Sequence, residues 1–374
     1  GTQSGTSWLV RQAMARAPDG LDVGPVRGTL LRGIEFASLE WRGDTAELRA
    51  RDVAIDFALL PLIERHLLVD TLTASSIELL VLPREPSPAG DTGTSVQLPV
   101  AITLRTASLS DVRYTDGTTS RSVQQIVVAG DMRNSRLRIR RLELRSEWAD
   151  LDLAGTVELA GALAFDATAA WRWKADATLP LAGRLRAKGT ATAIAFEHQL
   201  LEPLAFTSRG SATIEPDAVG IDILNEWQQL RWETPQGLFA SSHGTLHLSG
   251  RTDDIRVDLD VLAALGDLPE AALTASGQVR WRPQPEFNVA YQLLDLDPAY
   301  IHTDLRGRLA SRGQLAGVLR NGALELDLRA RELAGEVNGH SVAGDMAARI
   351  SPRGIDVTES IVRLGDNTAR LQGH

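Results

Sequence analysis

Apolar and polar residues alternate with a period of two along most of the chain. Val53, Ile55 and Phe57 stand against Asp52, Ala54 and Asp56, and the same period runs through Ile77, Leu79 and Val81 and through Ile102 and Leu104. It returns at Leu151 and Leu153, at Leu246 and Leu248, at Ile255, Val257 and Leu259, and at Leu324, Leu326 and Leu328. Successive side chains of a strand face opposite sides, so the pattern predicts strands with one apolar and one wet face. Asp116-Gly117, Asn321-Gly322 and Asn338-Gly339 are hairpin dipeptides between such runs. Without helices between the strands, an antiparallel sheet with one buried face follows.

Two short stretches break the period. Residues 5–16 place Trp8, Leu9, Ala13 and Met14 near one helical face, and Pro18-Asp19-Gly20 ends the run. A second short helix is expected over 59–66, where Pro61 falls in the first turn and its missing N–H costs nothing.

The number of strands then sets the architecture. The chain offers roughly twenty, whereas an open twisted sheet rarely exceeds about ten, so it must split into sandwiches, wind or curl. A linker rich in Pro and Gly appears only around 83–95 (Pro83, Pro86, Pro88, Gly90, Gly93), which reads as a mobile surface loop. The expected fold is therefore all-β: one continuous, elongated antiparallel sheet, with short helices near the N-terminus. An amphipathic helix is expected over 1–18 and a continuous run of strands over 19–374. At about 4.8 Å per strand, roughly twenty strands make a trough on the order of 100 Å long.

Composition narrows the chemistry. The 374 residues carry a formal charge of −9, with arginines scattered among acids, which argues against a general affinity for nucleic acid. There is no cysteine, so thiol catalysis, iron–sulfur clusters and cysteine zinc sites are excluded. The most apolar stretch, 57–69, is interrupted by Glu64, Arg65 and His66 and falls short of the roughly 20 residues of a membrane span. No GxSxG, GxGxxG, P-loop or HExxH string occurs. His243 and His247 would chelate a metal on a helix, but on a strand they lie some 13 Å apart. Asp295 and Asp297 would share a strand face about 6.6 Å apart, a spacing reminiscent of glycosidase carboxylates that a solvated face explains as well. The tryptophans Trp171, Trp173, Trp227, Trp232 and Trp281 are expected to cap the apolar face or its rim. No catalytic residue, metal or cofactor is expected.

Two segments carry a resemblance. Leu21-Asp22-Val23-Gly24-Pro25-Val26-Arg27-Gly28-Thr29-Leu30, then Gly33-Ile34-Glu35-Phe36, then Leu60-Pro61-Leu62-Ile63 and Leu68-Val69-Asp70-Thr71-Leu72 resemble the start of the periplasmic region of the TamB family. Gly335-Glu336-Val337-Asn338-Gly339 through Gly344, followed by Gly365-Asp366-Asn367 through Gly373, is similar to a glycine–asparagine signature recurring in that family, and Trp227-Gln228-Gln229-Leu230-Arg231-Trp232 resembles another family segment.

The resemblance implies a fold, in which the helix over 1–18 follows a membrane anchor missing from the sequence and the elongated antiparallel sheet over 19–374 curls into an open, taco-like hydrophobic groove. It also implies a non-enzymatic role: phospholipid transport across the periplasm through that groove, with a further role in outer-membrane protein assembly within the translocation and assembly module. It implies phospholipids as cargo, tethering to the inner membrane, and a TamA-like outer-membrane barrel protein as partner through a region outside this sequence. The groove lining would be the apolar residues of the alternating runs: Val53, Ile55, Phe57, Ile77, Leu79, Val81, Ile102, Leu104, Leu151, Leu153, Leu246, Leu248, Ile255, Val257, Leu259, Leu324, Leu326 and Leu328. The competing readings are a right-handed β-helix, as an adhesin or a polysaccharide-active protein, and a ligand-free scaffold. Asparagines are too sparse, and no short repeat holds, for stacked coils.

Overall fold

The computed structural model describes residues 20–29, 32–43, 45–82, 100–116, 119–174, 180–234, 237–282, 284–300, 302–320, 323–352 and 354–373. The chain falls into two compact units, Gly1–Ala191 and Thr192–His374. The expected helix over 5–16, the loop 83–95 and the turn glycines Gly117 and Gly322 lie outside the described residues.

Unit one opens with β1 (Leu21–Val23), β2 (Val26–Thr29), β3 (Gly33–Arg42), β4 (Ala46–Ala58) and β5 (His66–Val81). It continues with β6 (Ala101–Asp116), β7 (Thr119–Arg133), β8 (Arg136–Arg145), β9 (Ala149–Glu158), β10 (Phe165–Trp173) and β11 (Leu181–Gly189). β1 and β2 both pair with β3, and from β3 onward each strand pairs with the next. Unit two opens with β12 (Ala193–Glu202), β13 (Phe206–Ile214), β14 (Val219–Thr234), β15 (Gly237–Arg251), β16 (Asp254–Leu265) and β17 (Ala271–Arg280). Then follow β18 (Glu286–Leu296), β19 (Gly307–Arg320), β20 (Ala323–Val337), β21 (His340–Ser351), β22 (Gly354–Leu364) and β23 (Asn367–Gly373). These twelve strands form one antiparallel meander in chain order.

The all-β class is what the structure has, and antiparallel pairing dominates. The ladders run against a right-handed β-helix, whose stacked coils pair in parallel. One pair departs from expectation: β5 and β6 run parallel. Parallel neighbours need a connection that returns along the strand. The nineteen residues between Val81 and Ala101 can reach about 60 Å when extended, against roughly 53 Å for a sixteen-residue strand.

The helix expected over 59–66 is a 3-10 turn, Leu60–Glu64, with Pro61 at its start. Arg65 stops it by entering the left-handed region (φ 57) and donating its N–H to Leu62 O. A second 3-10 turn spans Pro298–Tyr300.

The sheet of each unit is a single layer. Among the described residues, strands make their substantial contacts with ladder neighbours, and no second sheet lies over either face. The cores are correspondingly small. The cluster in unit one joins Ala50, Val53, Ala74 and Ile77, with Phe36, Leu39, Leu48, Ile55, Leu72, Leu109 and Val112 packed against it.

Strict alternation fails inside the strands, and it fails in step. The apolar face advances by three residues from Ala50 to Val53, from Ala74 to Ile77 and from Leu109 to Val112. Each step contains a residue of positive φ: Asp52 (47°), Ser76 (49°) and Asp111 (51°). A bulge inserts one unpaired residue and returns the next side chain to the same face. Ser75 Oγ donates to Asp52 Oδ2 at 2.8 Å, tying the first two bulges together.

Candidate functional site

The register assembles apolar rows that cross the strands. Paired residues put their side chains on the same face, so one row in unit one runs Ile34, Ile55, Leu72, Ala107, Val128, Leu142, Leu153, Ala169 and Leu185. The next runs Phe57, Val69, Leu104, Gly130, Ile139, Gly155, Ala167 and Ala187. In unit two a row passes from Phe196 through Gly210, Ile223, Leu248, Val257 and Gly277 to Val289, Leu315, Leu328, Ala348 and Val357. None of these rows contains a charged side chain. Most of their residues are half-buried, shielded by one another and by no second layer.

The opposite face carries the charge. Glu78 pairs with Arg49 and Arg113 across the ladder, its carboxylate 3.7 Å from Arg113. Arg145 meets Asp152 at 2.5 Å and Lys174 meets Asp150 at 2.6 Å. The Arg141 hydrogen bond holds the Glu143 carboxyl below its ordinary value. In unit two Arg209 lies 3.8 Å from Glu197 and 3.6 Å from Glu226, and Arg349 lies 2.8 Å from Asp327.

Aromatic rings in unit two lie across glycines. A Cβ at Gly244 would collide with the Trp227 indole, and one at Gly317 with the Phe287 ring. Trp227 Nε1 donates to Ser241 Oγ at 2.8 Å, and that hydroxyl reaches Leu262 O at 2.7 Å. Beside this pair a short uncharged polar row, His198, Ser208 and Asn225, interrupts the lining. Ser208 Oγ donates to Asn225 Oδ1 at 2.6 Å, and Asn225 Nδ2 donates to Leu246 O at 3.0 Å. Burial pushes the His198 imidazole below its ordinary value.

The residues expected to line a groove take these places. Val53, Ile55, Ile77 and Leu79 share a face with Ile34, Phe36 and Leu48, and Val81 extends it beside Ala46. Phe57 and Leu104 fall in the second row, with Ile102 beside Leu67 and Met132. Leu151 and Leu153 pair with Leu144 and Leu142. Leu246, Leu248, Ile255, Val257 and Leu259 share the unit-two face, as do Leu324, Leu326 and Leu328, paired with Leu319, Gly317 and Leu315.

One expectation changes. Asp295 and Asp297 do not share a strand face: β18 bulges between Leu293 and Leu296, Asp295 takes a φ of 55°, and Asp297 leaves the strand. Its Oδ1 caps the 3-10 turn by accepting from Ala299 N at 2.9 Å. His247 sits 2.9 Å from Asp222, while His243 is exposed on the same ladder. Trp148 and Trp173 meet edge to face at 5.6 Å, with Arg121 5.5 Å above Trp148. Trp232 and Trp281 stand more than half exposed, at 56% and 53%. Alternation alone missed the bulges, although apolar spacings of three within otherwise alternating runs mark them. It also missed the polar row, which has the spacing of the lining without its chemistry.

Among the described residues, no helix is long and apolar enough to cross a membrane. A family model described as TamB, N-terminal domain, matches residues 1–115 and 94–279. No curated protein and no solved structure matches the chain.

Proposed function

Since this chain belongs to the TamB family, we propose that it carries phospholipid between membranes along its apolar sheet face, without chemistry. Members of that family are in general non-enzymatic transport and assembly proteins of the periplasm, partnered by TamA. The observation that carries the reading is the pair of uncharged rows, nine strands wide in unit one and eleven in unit two.

An acyl chain gains about 0.8 kcal/mol for each methylene it moves from water into apolar surroundings, so an unbroken lining matters more than any single contact. A large uncovered apolar face is the usual mark of a binding surface. With the face open along its length, acyl chains lie on the rows while the headgroup stays in water. Within this reading the protein is tethered to the inner membrane, meets a TamA-like barrel protein through another region, and contributes to outer-membrane protein assembly.

A photo-crosslinking residue at Ile55 or Leu79 should capture phospholipid in cells, and one at Asp56 or Glu78 should not. Equal capture at all four positions, or none at Ile55 and Leu79 in folded protein, would overturn the reading. Native mass spectrometry of the purified chain separates cargo from a dry scaffold, since a scaffold carries no phospholipid.

A further inference from the structure

The apolar surface that is least explained lies off the sheet face, at the turn joining β4 to β5. Leu60 and Ile63 are 80% and 83% exposed, well above Ile355 at 58%, the next most exposed large hydrophobic side chain among the described residues. Leu62 beside them is 42% exposed. Exposing three aliphatic side chains on one turn is unfavourable in water, and no fold requirement places them there: the turn is stopped by Arg65 and started by Pro61 whatever occupies 60 and 63.

The backbone of this knuckle bonds to itself and to the sheet. Leu62 N donates to Leu59 O, Arg65 N to Leu62 O, and Ala101 N to Arg65 O. These bonds satisfy part of the turn's backbone, which lowers the cost of drawing its apolar side chains out of water, while Glu64 and Arg65 stay at the wet boundary. His66 is fixed to Thr103 at 2.8 Å, so the tip stands on a braced base. Its immediate charges, Glu64 and Arg65, cancel.

We propose that this knuckle is a membrane-inserting tip, whose occupant is the interfacial layer of a phospholipid bilayer. Size favours a bilayer over a protein. A specific protein interface buries about 800 Å² per partner, more than a five-residue turn offers, whereas a bilayer needs no matching surface. Electroneutrality at the tip favours zwitterionic lipid as well as anionic. The chain enters the turn from Phe57 and leaves it into Leu67, both on the apolar face, so an inserted tip would bring the bilayer to the end of the lining. This extends the lipid-carrier reading but does not depend on it.

The chain lacks cysteine, so Ile63→Cys can carry a single environment-sensitive dye, with Ala162→Cys, on the exposed turn after β9, as the control. On adding phosphatidylcholine vesicles, the dye at 63 should shift to the blue and be quenched by spin-labelled lipid, while the dye at 162 should not. Leu60→Ser with Ile63→Ser should weaken vesicle partitioning about tenfold per side chain while circular dichroism stays unchanged. A dye at 63 that stays in water with vesicles, while Leu79 still crosslinks lipid, overturns the tip and leaves the carrier reading standing. Insertion without any crosslink at Leu79 does the reverse. A blue shift before vesicles are added means that this chain already covers the knuckle, and a shift that grows with protein concentration means that a second copy does; either result overturns the proposal.

Discussion

Ala74 and Ile77 lie three residues apart in β5, and both side chains enter one buried cluster with Ala50 and Val53. Ser76, at φ 49°, absorbs the odd residue between them. Left-handed backbone costs an ordinary residue about 1–2 kcal/mol and a β-branched one more, whereas glycine adopts it freely. Ser76→Gly should therefore leave stability unchanged or slightly raised, and Ser76→Val should lower it by about 1–3 kcal/mol. Chemical denaturation of both variants measures the difference.

Phe287 lies over Gly317 with no room for a side chain beneath it. Gly317→Val should push the ring off the sheet and cost about 1–3 kcal/mol, in line with overpacked sites. Gly317→Ala should cost less, because the ring can tilt. Thermal unfolding of the two variants tests the order.

Leu153 and Asp152 are neighbours on opposite faces. Leu153→Asp places a charge inside the nine-strand row of unit one and should reduce lipid capture at least about tenfold. Asp152→Asn removes only the exposed pairing with Arg145 and should change stability by less than about 1 kcal/mol, with lipid capture unaltered. Crosslinking and denaturation on the same preparations separate the two effects.

Burial lowers His198 from its ordinary value of 6.5. The unfolded chain then takes up a proton at higher pH than the folded one. The stability contribution is complete above that ordinary value, declines as pH falls through it, and levels off once the folded imidazole is itself protonated. The melting temperature should fall between about pH 8 and pH 5, and His198→Gln should blunt that fall. An identical pH dependence in the two proteins would refute the assignment.

Much of the fold was legible in the alternation, because an open sheet writes its two faces directly into the chain. Leu151 and Leu153, or Ile255, Val257 and Leu259, need no further context. The turn at Leu60–Glu64 was legible from Pro61. The parallel pairing of β5 with β6 was not, since a parallel and an antiparallel strand carry the same period. Nor were the bulges at Asp52, Ser76 and Asp111, because a step of three reads as an interruption until neighbouring strands show the same step. Asp297 looked like a strand residue and is a cap, for the strand ends one residue sooner than the pattern suggests.

The steps in β5 and β6 fall opposite one another: Leu72 beside Ala107, Ala74 beside Leu109, Ile77 beside Val112. The two strands thus share a reading frame. A single residue gained or lost in one would turn its remaining side chains inside out, wetting the lining and greasing the outer face, unless a bulge absorbed it in step with the neighbour. Changes by two residues keep the frame. Length variation in such a sheet should therefore accumulate in even steps, or in matched odd steps on adjoining strands.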